Sequence, residues 1–181
     1  TGVTAVVGMP QKNTVALLPA EIGGQKVEYI VLDDASDPTN AVTNVRKLLS
    51  EHRVDALIGP TTTPAALAML DFVAESKTPL LTTVGSSALV QPMDEKRKWV
   101  FKTTQNDDLI AEAVIAHMTQ SGVKTVGFIG FNDPYGENWF KVFSAMAEKA
   151  GLKIVASERY TRTDQSVTGQ ALKLLAAKPD A

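Results

Sequence analysis

Four short loops carry the side chains and special backbone positions from which a binding site could be built. The first, IGPTTTPAA, sets Thr61, Thr62 and Thr63 between an apolar run and a helix opened by Pro64. A helix start leaves backbone N–H groups without intrahelical partners, so it can hold an anion such as a carboxylate. Thr63 is the hydroxyl placed for that task. A threonine there can equally do no more than cap its own helix, and the two roles are compatible. In the second loop, TTVGSSA, Gly85 allows a close backbone approach while Ser86 and Ser87 supply hydroxyls that donate or accept; the same residues also make an ordinary turn. In the third, FNDPYGENW, turn chemistry comes from Asp133, Pro134 and Gly136, and Tyr135 stands at the mouth of a strand where a ligand could meet it. The fourth, LDDASDP, gathers Asp33, Asp34 and Asp37, but their spacing is not that of a calcium loop, and turn and capping roles account for them better.

Catalysis finds no such support. His52 sits at a helix end in EHRVD, where a positive charge suits the macrodipole, and His117 lies mid-helix. Neither has a nucleophile in an evident motif. There is no G-x-S-x-G elbow, no P-loop and no G-x-G-x-x-G after a strand. The expectation is a non-enzyme without a cofactor. With no cysteine in the chain, thiolate zinc sites and disulfides are excluded.

The elements that must position these loops follow from the apolar pattern. From Lys26 onward, short β-branched runs alternate with stretches of helical period, the pattern of a parallel sheet covered by helices. KVEYIVLD (26–33), DALIGP, PLLTTV, WVFKTT, KTVGFIGF and LKIVASE read as strands. Between them, helices start at Asp37–Pro38, at Thr63–Pro64, at Asp107 or Asp108 as cap, near Gly136, and at Ser166. Gly151 supplies a left-handed stop. The opening TGVTAVVG reads as a loop, and KPDA ends the chain where the alternation asks for another strand, as in a fragment.

Charge and length narrow the partners. The 181 residues carry 18 basic and 20 acidic side chains, a formal net charge of -2, with no long run of one sign. Lys96, Arg97 and Lys98 are offset at once by Asp94 and Glu95. Nucleic acid needs a concentrated basic face and is not expected as a partner. No apolar run approaches the roughly 20 residues that span a bilayer, so the chain is not membrane-embedded, and residues 1–10 do not read as a signal peptide.

Taken in order, VLDDASDP, ALIGPTTTP, PLLTTVGSSA, FKTTQNDD and GFIGFNDPYGENW resemble the periplasmic leucine, isoleucine and valine binding-protein family, the type I solute receptors of ABC importers. The likeness runs over essentially the whole chain. It implies a two-lobed α/β fold, each lobe a parallel sheet flanked by helices: a first lobe over 1–106 lacking its first strand, and the first half of a second lobe over 107–181. It also implies an extracytoplasmic receptor, periplasmic or lipid-anchored, that captures a small carboxylate-bearing solute by closure of its lobes and delivers it to ABC-transporter permease subunits. Carried over by resemblance, Thr63, the backbone of Val84, and Ser86 hold the solute carboxylate, and Tyr135 closes over it. Val7 stands at a side-chain-pocket position that is often aromatic in amino-acid receptors. A disulfide of some relatives would fall at Ser36 and Thr62 and is absent. The first expectation is an aliphatic, branched-chain type of amino acid. An aromatic carboxylate would be served by the same carboxylate half, and a ligand-sensing module of a receptor or regulator would share the fold. A nucleotide-dependent or flavodoxin-like enzyme shares only the doubly wound pattern.

Overall fold

A computed structural model describes residues 1–181, and backbone contacts divide them into two compact units. The first comprises Thr1–Val84 and Pro92–Thr103; the second comprises Gly85–Gln91 and Thr104–Ala181. The segment Gly85–Gln91, placed by the sequence reading in the first lobe, packs with the second unit.

In the first unit, three short parallel strands, β3 (Leu57–Ile58), β4 (Leu80–Thr82) and β5 (Val100–Lys102), pair in that order. They follow α1 (Ala5–Val15), the hairpin β1 (Glu21–Ile22) and β2 (Gln25–Lys26), and α2 (Pro38–Ser50), while α3 (Thr63–Ser76) links β3 to β4. The hairpin turns on Gly23 and Gly24 at φ 58° and 78°, the left-handed pair that a two-residue hairpin requires. Apolar side chains at helical spacing, Ala41 and Val45 on α2 and Ala66, Met69, Leu70 and Val73 on α3, are buried along with Leu57, Leu80 and Val100 of the strands.

Two sequence expectations fail here. The run 26–33 was expected as a strand, yet only Lys26 enters a ladder. A strand exists by exchanging bonds with a neighbour. Residues 27–33 and β3 instead line one cleft of about 870 Å³. The loop expected at the start is α1. Local signals favoured a loop because Gly8 and Pro10 punctuate the stretch. Long-range bonds override them: Thr4 N–H donates to Ser36 Oγ at 3.1 Å, and Gln11 Nε2 donates to Thr83 Oγ1 at 2.9 Å.

The second unit is a β–α–β arrangement. β6 (Thr125–Phe131) and β7 (Lys153–Tyr160) pair in parallel around α5 (Pro134–Lys149), with α4 (Asp107–Gln120) before them and α6 (Thr168–Ala176) after. The apolar faces of α4, β6 and α5 meet in one cluster of Ala111, Ile115, Val126, Phe143 and Ala147, joined by Leu152 just before β7. Gly151, at φ 75°, ends α5 as expected. The chain's last residues run beside β6, where Gly127 N–H donates to the Ala181 carbonyl at 2.8 Å. Asp180 Oδ2 accepts from the N–H groups of Lys124 and Thr125 at 2.9 and 2.8 Å. No helix is long and apolar enough to cross a membrane.

Two expected outcomes follow for the full-length protein. Phe143→Ala empties the centre of the second unit's core and should cost about 3–5 kcal/mol in chemical denaturation; a loss under about 1 kcal/mol would mean that the cluster is not a core. The second concerns Asp180, whose carboxyl is held below the usual carboxylate range by the Lys124 and Thr125 amides. A depressed folded pKa gives stability that is present above the unfolded value and lost as pH falls through the folded one. The melting-temperature gap between wild type and Asp180→Asn should therefore be widest near neutrality and close below about pH 4; a gap independent of pH would refute it.

Candidate functional site

Parallel strands release their chains at one common end, so the loops after β3 and β4 and those after β6 and β7 are where ligand chemistry can collect. In the first unit the loops after β3 and β4 are tied together, since Thr83 Oγ1 donates to the Pro60 carbonyl at 3.2 Å. Gln11 of α1 bridges both: its Nε2 donates to Thr83 Oγ1 at 2.9 Å and its Oε1 accepts from Thr61 Oγ1 at 3.2 Å. Val84 is buried, and its N–H donates to Thr82 Oγ1 at 3.3 Å.

The start of α3 differs from the capping alternative raised by the sequence. Thr62, not Thr63, is the N-cap, and no side chain caps this helix. Thr63 is the first helical residue, 1% exposed, and its Oγ1 has no hydrogen-bond partner. A buried hydroxyl is almost always bonded, because leaving it bare costs about 1–3 kcal/mol. An uncapped helix terminus and an unused buried hydroxyl thus coincide at one residue. Val7 lies one helical turn before Gln11, 49% exposed.

In the second unit, Ser86 is fully buried and its Oγ also has no partner. The adjoining turn is pinned by Asp107, whose Oδ2 accepts from the Ser87 N–H at 3.2 Å and from Asn138 Nδ2. Asn138 Nδ2 also reaches Ser87 Oγ at 3.3 Å. Asp107 is not the cap expected of it: Asn106 holds that position, and Asp107 is buried in the first turn of α4. A β-carbon on Gly85 would stand 3.6 Å from Asp107 Oδ1, so the turn lies directly against the carboxylate.

Tyr135 is the second residue of α5 and half-buried, its ring centroid 6.4 Å from that of Phe131. The turn before it forms as the sequence implied. Asp133 caps α5, with Oδ1 accepting from the N–H groups of Tyr135 and Gly136 at 2.9 and 3.1 Å. Gly136 has a steric reason as well, because a β-carbon there would fall 1.9 Å from the Phe131 carbonyl oxygen. The first unit therefore carries Val7, Thr63 and Val84, and the second carries Ser86 and Tyr135.

The aspartates of LDDASDP are spent on turns. Asp33 Oδ1 accepts from the Ala35 N–H and Asp34 Oδ1 from the Ser36 N–H, both at 2.8 Å, and Asp37 caps α2. The amides of Asn40 and Thr39 hold the Asp37 carboxyl below its ordinary range.

Sequence reasoning missed Gln11, Asp107 and Asn138 as site-shaping residues, along with Arg162, whose Nε donates to Asp133 Oδ2 at 2.6 Å. A four-residue spacing could have put Gln11 on the Val7 face, had the stretch been read as a helix. The other partnerships join positions far apart in the chain and leave no local signal. Gly136→Ala should abolish cooperative unfolding of the second unit or cost more than about 3 kcal/mol, since the obstacle is backbone rather than a movable side chain; a near-neutral variant in denaturant titration would contradict the observed junction.

The whole chain, residues 1–181, matches the family model described as periplasmic binding protein. An extracellular ligand-binding receptor from Rhodopseudomonas palustris shares 54% identity and superposes with a TM-score of 0.96 over 99% of this chain and 50% of its own. A solute-binding protein of an ABC transporter from the same species, solved with 3,4-dihydroxybenzoic acid, shares the fold at 23% identity and a TM-score of 0.89, over 99% of this chain and 50% of that one. Among curated proteins, an amino acid binding protein of Pseudomonas aeruginosa is 23% identical over 86% of this chain and 41% of its own length. The chain thus spans about half the length of these relatives or less. Its parallel sheets flanked by helices are those of the type I fold, and the chain belongs to the periplasmic binding proteins, a family of binding proteins rather than enzymes.

Proposed function

We propose that this chain supplies the carboxylate-holding part of an extracytoplasmic solute receptor that serves an ABC importer. The observation that carries the reading is Thr63, a fully buried and unpartnered hydroxyl in the first turn of a helix that no side chain caps. A carboxylate docked there would accept from the hydroxyl and from the free helix amides, and the helix dipole would favour its charge. The backbone of Val84, carried over by the family resemblance as a further contact, lies on the loop tied to this one through Thr83 and Pro60. Ser86 and Tyr135 are the residues that the second unit would contribute.

The solutes named for two relatives, an amino acid and 3,4-dihydroxybenzoic acid, both carry a carboxylate, the group for which Thr63 is suited. Permease subunits as partners, and a periplasmic or lipid-anchored location, are part of the same proposal and rest on family membership.

Thr63→Val in the full-length protein keeps the branched shape and deletes the hydroxyl. Calorimetry should show solute affinity falling about 10- to 100-fold, the loss of a charge-assisted hydrogen bond. The unliganded melting temperature should hold or rise, because a bare buried hydroxyl has been removed. Unchanged affinity would remove Thr63 from the site, and a lowered unliganded melting temperature would point to a structural bond instead.

A further inference from the structure

The carboxyl ends of β6 and β7 meet in an aromatic cluster. Phe131 and Tyr160, register partners at the last position of the two strands, have ring centroids 4.7 Å apart, and Tyr135 stands beside Phe131 at 6.4 Å. All three rings are only partly buried. Arg162, two residues beyond β7, lays its guanidinium 4.1 Å from the Phe131 centroid and 5.9 Å from that of Tyr135.

What distinguishes this arginine is how little of it is used. Arg159, on the same strand end, spends every nitrogen: Nε and Nη2 on Glu137, Nη1 on Ser157 Oγ and the Glu158 carbonyl. Arg162 donates only through Nε, to Asp133 Oδ2, while the other oxygen of Asp133 is taken by the start of α5. Stacking on Phe131 and the Asp133 bond fix the guanidinium plane. Its Nη1 and Nη2 edge is left unspent on a side chain only 23% exposed. A planar fork held in this way matches a carboxylate or another oxygen acceptor in its plane.

We infer that Arg162, with Tyr135 and Tyr160, is a second recognition element that takes an aromatic ring bearing an oxygen substituent: the ring packs on the tyrosine faces, and the oxygen accepts from the free guanidinium edge. Aromatic pairs of this kind favour offset or edge-on contact, which half-exposed rings permit. Asp133 offsets the arginine's charge, so the gain is hydrogen-bond geometry more than net attraction. An ammonium group has nothing to bond on this edge, since guanidinium has no acceptor. The inference rests on the reading of the chain as a solute receptor and narrows its solute to substituted aromatic acids.

The test uses the full-length protein and three probes, benzoate, 4-hydroxybenzoate and leucine, titrated by calorimetry against wild type, Arg162→Lys and Arg162→Gln. Lysine keeps the charge and the Asp133 pairing but loses the planar fork. Wild type should bind 4-hydroxybenzoate more tightly than benzoate, and both variants should weaken 4-hydroxybenzoate about tenfold or more while leaving benzoate within about threefold. A purely structural arginine would affect the two aromatic acids equally or lower only the melting temperature, and either result overturns the inference. So does wild type that binds leucine alone, or none of the probes. The Thr63→Val result stands apart from these outcomes, because loss of leucine binding in that variant would keep the carboxylate proposal while this one falls.

Discussion

Every helix in a parallel α/β fold starts just after a strand ends, and each start exposes N–H groups that something must meet. This chain meets that demand in different ways. Asp37 and Asp133 cap α2 and α5 with their own carboxylates. At α4 no side-chain cap forms, and the buried Asp107 of its first turn accepts from the Ser87 amide and the Asn138 side chain. At α3 no side chain caps the terminus, and a buried hydroxyl beside it is left idle. The functional reading rests on what sets α3 apart: its start is uncapped, as are those of α1, α4 and α6, but only there is the first helical residue a fully buried hydroxyl with no partner.

The same economy links Asp133 to the aromatic end of the second unit. One of its oxygens closes the start of α5 and the other anchors Arg162, so a single carboxylate sets both the position of Tyr135 and the plane of the guanidinium. Gly136 makes this possible, because the helix must begin against the Phe131 carbonyl, where no β-carbon fits. A backbone constraint thus passes directly into the placement of recognition side chains.

Much of this was legible in the sequence where physics is local. The strand–helix alternation from residue 54 onward, the Asp37 cap, the turn at Asp133 and Pro134 and the stop at Gly151 all follow from patterns within a few residues. α5 itself begins at Pro134, with Asp133 as its cap, rather than near Gly136. The expectations failed where partners are distant. The run 26–33 has strand composition but no ladder beyond Lys26, and α1 forms despite Gly8 and Pro10 because Thr4 and Gln11 find partners many residues away. For the site, residue types placed Thr63, Ser86 and Tyr135 in strand-end loops. They could not show that Thr63 yields the cap position to Thr62, nor that Arg159 and Arg162, three residues apart, differ so completely in how their nitrogens are used.

β6 and β7 pair as a two-stranded sheet, so one row of β7's backbone groups faces away from β6. Outer strands of apolar composition recruit strands from other molecules, and natural sequences counter this with charge. β7 carries Lys153, Glu158 and Arg159 within its length, and Glu158 is further engaged by Lys173 of α6 at 3.1 Å. An incoming strand would have to strip water from these groups and break that ion pair before gaining a backbone bond. The edge of β7 thus carries its own charged side chains against edge-to-edge pairing.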